Sequence, residues 1–385
     1  MKKKKTQTRQ LRYVDGQLQV VGEKKDENKN ENIKQQKKSI KNVKKLSFFV
    51  FFLAFLIIIP FFFEKYDVYV PKPSQAQTTF LKIWHIDSFE GGSGNRAIFL
   101  EKNALNFHKI NNNVFLLVQE LSEEQAITAL SQGDKPDVIS FSHHIADEVV
   151  KNLLSLDVET LAKEELLQCG QNGGKTFAVP WNMAGYCLIG NGNADERLAK
   201  NLSLQSVYSF DKAQNCYVTG MKNSFGQLAL SKNTNAKCDL TKCDKFLMQK
   251  TPYQAYCDFV EGKASVLLGT TRDVHRVLNR IDLGSMQNIE FLPIGNFTDL
   301  VQYVGICREE NKLVAQSFVE FLTSNQTQKT LKNIGLFSPN KLNLYNEGIM
   351  KEIEEKLNQK LQSFSLFQST DEKTRQLQNA IKQMY

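Results

Sequence analysis

No cysteine occurs before Cys169, which leaves no residue for a lipid to modify at the end of the apolar run described below. Seven cysteines follow, at 169, 187, 216, 238, 243, 257 and 307, an odd count that leaves at least one thiol unpaired outside a membrane. Cys238-x4-Cys243 is their only close pair, and no second pair or matched histidine pair completes a zinc set. Buried free thiols, or a single disulfide such as Cys238 with Cys243, fit better than a metal site. Gly-x-Ser-x-Gly and His-Glu-x-x-His are both missing, so no hydrolase elbow or zinc protease helix is present. The carboxylates of Asp87, Glu90 and Asp137 are scattered, and a glycosidase pair among them cannot be read from spacing. Gly91-Gly92-Ser93-Gly94 fits neither phosphate-binding fingerprint, although its amides remain available to a carboxylate or a sugar hydroxyl. No enzyme activity and no cofactor are expected.

A basic surface is also missing from most of the chain. Residues 1–45 hold fifteen of the 49 lysines and arginines and five of the 41 acids, which leaves 34 basic against 36 acidic side chains elsewhere. Nucleic-acid binding by the main body is excluded by that balance. The tail stops at LSFFVFFLAFLIIIPFFF, residues 46–63, where only Ser47 and Pro60 interrupt the hydrocarbon. As a helix it is about 27 Å long, enough for a bilayer core. Lys41, Lys44 and Lys45 flank one end and a near-neutral Glu64-Lys65-Tyr66-Asp67 the other, so the N-terminus is expected in the cytoplasm and everything after about residue 64 outside. Cleavage after Ser74-Gln75-Ala76 competes with retention, but it lies a dozen residues past the apolar run, and retention as an anchor is favoured. The basic tail is read as a topology determinant attracted to anionic lipid, with a docking arm as the alternative. Residues 64–77, EKYDVYVPKPSQAQ, read as an extended linker.

From Thr78 the chain alternates. FLKIWHI (80–86) is a doubly covered strand, a glycine-rich turn opens a helix from about Asn95 to Lys109 with Ile98 and Leu105 facing inward, and VFLLV (114–118) is the next strand. Ser122-Glu123-Glu124-Gln125 has a capping-box pattern, Gly133 suits a helix C-terminus, and PDVISF (136–141) is the third strand. Two βαβ units imply a parallel sheet whose ligands sit beyond the strand carboxyl ends. Ile349, Ile353, Leu357 and Leu361 step by four along a C-terminal helix expected to pack on the body, followed by a polar helix from about Thr370.

LKIWHIDSFEGG (81–92) and AITALSQGDKPDVISFS (126–142) resemble the opening of the extracellular solute-binding proteins that serve ATP-driven (ABC) importers. KTFAVPWN (175–182), GYCLIGN (185–191), FVEGKASVLLG (259–269), AQSFVEFLTS (315–324) and GLFSP (335–339) are similar to later pieces of the same family, in the same order. The resemblance implies an α/β, two-lobed periplasmic-binding-protein type II fold over about 78–345. One lobe is then about 78–180 and 266–300, the other about 181–265 and 301–345, with C-terminal helices at 346–385. It implies capture of a small polar solute, a sugar or oligosaccharide first, and delivery to ABC permease subunits. Family members in single-membrane bacteria commonly carry a lipidated cysteine, and a peptide anchor in its place keeps open a sensor that signals without transport.

Ligand candidates lie where strand ends and crossings meet a cleft. Phe89 and Glu90 end the first strand, Ser142 and His143 the third; Trp181 and Asn182 stand at the first crossing, Thr270 and Arg272 after a returning strand, and Tyr303 near the last crossing. Tryptophan and tyrosine rings stack on sugar C–H faces while the polar groups bind hydroxyls. Trp84, inside a strand, reads equally as core. His143 and His144 could serve a metal, but neighbours on a strand point to opposite faces, so one ligand at most is natural and a cleft hydrogen bond is favoured. Glu90 and Arg272 have plainer alternatives as a helix cap and a solvated helix-start charge.

Overall fold

A computed structural model describes residues 11–14, 17–20, 78–87, 89, 92–193, 218–220, 251–369, 372 and 375. The apolar run 46–63, the linker, Glu90, the Cys238/Cys243 pair and the start of the helix expected from Thr370 lie outside the described residues. Among those described, no helix is long and apolar enough to cross a membrane. The unit Met1–Gln75 contributes one hairpin, β1 (Leu11–Val14) antiparallel to β2 (Gln17–Val20).

The unit Ala76–Tyr385 holds two larger sheets. The first begins with β3 (Thr79–Ile86), α1 (Arg96–Ile110), β4 (Val114–Leu121), α2 (Glu123–Ser131) and β5 (Val138–Phe141), with β3 parallel to both β4 and β5. Asn95 starts α1 by accepting from the amides of Ala97 and Ile98, and the Ser122/Gln125 capping box starts α2. After α3 (Glu164–Cys169) and the short β6 (Gln171–Asn172) and β7 (Lys175–Thr176), β8 (Ala178–Met183) ends the sheet, whose order β4-β3-β5-β13-β8 is completed by the later strand β13 (Val301–Ile306).

The second sheet has the order β10-β11-β9-β12, from β9 (Tyr186–Asn191), β10 (Val218–Gly220), β11 (Val266–Thr270) and β12 (Ile289–Ile294). Helices α4 (Pro252–Val260) and α5 (Thr271–Asp282) cover it. The chain returns to the first sheet as β13 (Val301–Ile306) and α6 (Lys312–Thr323), then adds α7 (Gly348–Asn358) against β12.

Strand pairing moves two of the expected lobe segments. Leu268 of β11 faces Leu188 of β9, so 266–294 belongs with the second sheet; Val304 of β13 faces Ser140 of β5, so 301–306 belongs with the first. The crossings fall at Ala184-Gly185 and at 295–300, where edge-to-edge pairing changes partner, rather than at 180 and 265. Helix α1 also differs from expectation in its facing. Ala97, Phe99, Leu100, Ala104 and Phe107 are buried, whereas Ile98 and Leu105 are exposed, because the 3.6-residue period puts the larger apolar stripe on the other side. Ile353 and Leu357 of α7 pack on Gly185, but Leu361 lies beyond the helix in a segment that crosses back to the first sheet.

Candidate functional site

Inside the first sheet runs a chain of buried, hydrogen-bonded polar groups, in which His85 Nε2 has no partner among the described residues. The Trp181 indole N–H donates to Ser140 Oγ at 2.9 Å, and Ser140 Oγ lies 3.1 Å from His85 Nδ1. Burial, and secondarily the Arg96 charge, lower His85 to about 3, so the imidazole is neutral and shares one hydrogen bond through Nδ1 with Ser140. Trp181 also stacks on Phe99 at 5.8 Å between centroids. All these partners belong to the first sheet or its helix α1, so separating the lobes does not bare the ring. Trp181 is therefore a core residue, not the cleft platform expected of it.

Tyr303 is likewise enclosed. Its hydroxyl donates to the Leu166 carbonyl at 3.3 Å, its ring meets His143 edge-on, and burial raises its phenol well above the ordinary value. His143 shares a hydrogen bond of 3.2 Å with Ser363 and packs on Phe364. Ser142 Oγ accepts from the His144 amide at 3.4 Å, capping a 3₁₀ turn over His143–Ile145. The two histidines thus sit on a helical turn rather than a strand. Among the described residues no His/Cys/Asp/Glu group is arranged to hold a metal, and Cys169, Cys187, Cys257 and Cys307 are not disulfide-bonded.

Where the sheet gives way to the crossings, buried polar groups are left unengaged. Asn182 and Gln302 are register partners on β8 and β13, both wholly buried. The Gln302 amide donates to the Ile86 carbonyl at 2.7 Å across the end of β5, yet its Oε1 has no partner, and neither polar atom of Asn182 has one, among the described residues. Buried groups of this kind are uncommon and call for an occupant such as water or ligand. Beside them Phe89 lies under the Arg96 guanidinium at 4.2 Å, and Arg96 binds both the Phe89 carbonyl and the Asp87 carboxylate. Burial, then Arg272, bring Arg96 down to about 9, still charged at neutral pH. Arg272 is half-buried on the first turn of α5, after a buried Thr270 whose amide donates to the Asp273 carboxylate at 3.0 Å.

The two lobes meet at the glycine-rich turn. The Gly92 amide donates to Thr271 Oγ1 at 3.2 Å, and Ser93 and Gly94 amides reach the Ile334 carbonyl at 2.7 and 3.4 Å. These amides are spent on the protein itself rather than offered to a carboxylate or sugar. Gly92 has φ +72°, and a Cβ there would stand 2.3 Å from the Ile334 oxygen; one on Gly335 would stand 2.4 Å from His275 Nε2. Only glycine permits so close a junction. The seam is closed in this structure. The crossings themselves are tied: Thr298 Oγ1 donates to the Ala184 carbonyl at 2.8 Å, and the Tyr186 hydroxyl to Asp299 at 2.6 Å.

Of the expected residues, then, Asn182 lies at the sheet edge, with Phe89 beside Arg96 and Arg272 across on α5; Ser142, His143, Trp181 and Tyr303 are built into the first lobe. Gln302, Arg96 and His275 were missed. A glutamine two residues into a returning strand carries no motif, and its role follows only from the pairing with Asn182.

No protein-family model matches the chain, and no curated protein matches it by sequence. Solved structures do match in fold. The sugar-binding protein MalE from the phytopathogen Xanthomonas citri is 14% identical with a TM-score of 0.59, over 80% of this chain and 95% of that one. The GacH receptor of Streptomyces glaucescens is 12% identical with a TM-score of 0.58, over 80% and 94%. The galacto-N-biose/lacto-N-biose I-binding protein of the ABC transporter from Bifidobacterium longum is 11% identical with a TM-score of 0.58, over 81% and 93%. The chain has the two-lobed α/β fold of these periplasmic-type binding proteins.

Proposed function

We propose that the chain is a membrane-anchored extracellular solute-binding protein that closes two lobes on a sugar or oligosaccharide and passes it to an ABC importer. The observation that carries this reading is the pair Asn182 and Gln302, buried at the mouth of the crossings with three polar atoms unpartnered among the described residues. Amide groups both donate and accept, which suits hydroxyls better than a net charge. The fold supports the sugar, since the similar structures include proteins named for maltodextrin, maltotriose and lacto-N-biose. The apolar run 46–63 with its lysine flank supports the anchor and the outward-facing domain. Binding without turnover is supported by the similar structures, which are binding proteins.

Closure is the working step. Two sheets joined by short crossings rotate about them, and a ligand touching both lobes favours the closed arrangement by its differential affinity. Thermal unfolding of the full chain in detergent against maltooligosaccharides, disaccharides, amino acids and short peptides tests the proposal. An oligosaccharide is expected to raise Tm in proportion to the logarithm of its concentration. Stabilisation by peptides or amino acids alone, or release of a cleaved sugar, would overturn it.

A further inference from the structure

The large exposed apolar side chains concentrate at one end of the first lobe. Phe80, Leu105, Ile110, Leu117 and Leu313 are each 63–80% exposed, and Phe115 is 45% exposed. Topology brings them together: Phe80 and Phe115 are register partners on β3 and β4 with rings stacked at 5.5 Å, and Leu117 faces Lys82 on the same pair. Ile110 ends α1 just before β4, and Asn311, which precedes α6 and Leu313, donates to the Phe80 carbonyl at 3.3 Å. Two cavities, of about 540 and 500 Å³, lie along β4 and share Phe115, Leu116 and Leu117. β4 is also the free edge of its sheet, and VFLLVQEL contains neither the lysine nor the proline that usually blunts an edge. A contiguous apolar patch of this kind marks an interaction surface.

We propose that this end of the first lobe, centred on Phe80, Phe115 and Leu117, rests on the lipid surface. This posture rests on the membrane anchor proposed above. Fourteen residues, 64–77, separate the apolar run from the start of the domain, and Phe80 follows three residues later. Fully extended they reach about 50 Å, and as a flexible chain about 20 Å. The bilayer is therefore held at high effective concentration against the surface where the chain enters, and a patch with weak intrinsic affinity stays on it. Lys109 directly before Ile110 and Arg308 at the rim of the larger cavity supply long cationic arms for headgroups. Phe80 and Phe115 lie at the amino ends of β3 and β4, and Ile110 at the turn leading into β4, so the carboxyl ends and the lobe seam face away from the membrane in this posture.

The test uses the full chain in phosphatidylcholine/phosphatidylglycerol vesicles containing brominated acyl chains. Trp84 and Trp181 are buried and give a constant background. Leu117→Trp and, independently, Phe80→Trp are expected to lose at least half of their added emission to bromine. Leu283→Trp, at an 82% exposed position beside the second sheet, is expected to lose none. Equal emission in brominated and plain vesicles for both reporters would overturn the proposal, as would a cross-linked dimer through β4 with unquenched reporters. Alkaline carbonate extraction separates the two readings. Retention with unquenched reporters defeats the patch and spares the anchor; release with quenching defeats the anchor and upholds the patch; release without quenching defeats both.

Discussion

Trp181 and Asn182 are neighbours on one strand, both wholly buried, yet their surroundings are opposite. The tryptophan spends its N–H on Ser140 and its face on Phe99, while the asparagine has nothing to bond among the described residues. A strand sends successive side chains to opposite faces, so one residue belongs to the lobe's interior and the next to the edge where the lobes are joined. Satisfied groups hold the lobe together; unsatisfied ones carry a cost that a ligand or water removes.

The comparison breaks most visibly under Trp181→Ala. Removing a buried indole from a packed stack is expected to cost about 3–5 kcal/mol of unfolding free energy. Urea unfolding measures it, and a loss below ~1 kcal/mol would mean that the ring is not core. Gly92→Ala comes next, at about 1–3 kcal/mol, because it forces a side chain into left-handed backbone and against the Ile334 carbonyl. Small-angle scattering reads whether the Gly92–Thr271 bond between the lobes survives the substitution, a more open particle marking its loss.

Much of this architecture was legible in the chain. The capping box at Ser122, the strand runs at 80–86 and 136–141 and the C-terminal helix are local features, and local features are written in propensity and period. Lobe membership was not legible. Whether β11 pairs with β9 or with the first sheet is a long-range choice between equally apolar strands, and nothing in VLLGT marks it. The site was half legible for a related reason. Position at a crossing picked out 181 and 182 together, but the bulge between Gln302 and Tyr303 and the reach of Gln302 to Ile86 arise only after the sheet is assembled.

His85, bonded through Nδ1 to Ser140, gives the lobe interior a pH signature. Its pKa falls from 6.5 to about 3 on folding, so between those values the unfolded chain binds a proton that the folded chain does not. Its contribution is complete above pH 6.5 and declines as the pH falls, by about 1.4 kcal/mol per pH unit, or ~2 kcal/mol by pH 5. His85→Asn, which keeps an acceptor near Ser140, should have a shallower decline between pH 6.5 and 5. Parallel profiles would show that the imidazole is already solvated.

The smallest effect on stability is expected where the effect on binding is largest. Asn182→Leu and Gln302→Met replace unpartnered amides by apolar groups of similar size, and removing buried groups that make few bonds is expected to change stability by no more than ~1 kcal/mol. Gln302→Met also releases the Ile86 carbonyl, so it should be the less stable of the two. If these amides are reserved for ligand hydroxyls, each loses a hydrogen bond on binding worth about 1–2 kcal/mol, and oligosaccharide affinity by calorimetry should fall about tenfold. The double variant tests whether the register partners act on one ligand: a combined loss well short of the sum marks a shared contact. Unchanged affinity in both single variants, with stability also unchanged, would place the cargo elsewhere and leave the edge amides to buried water.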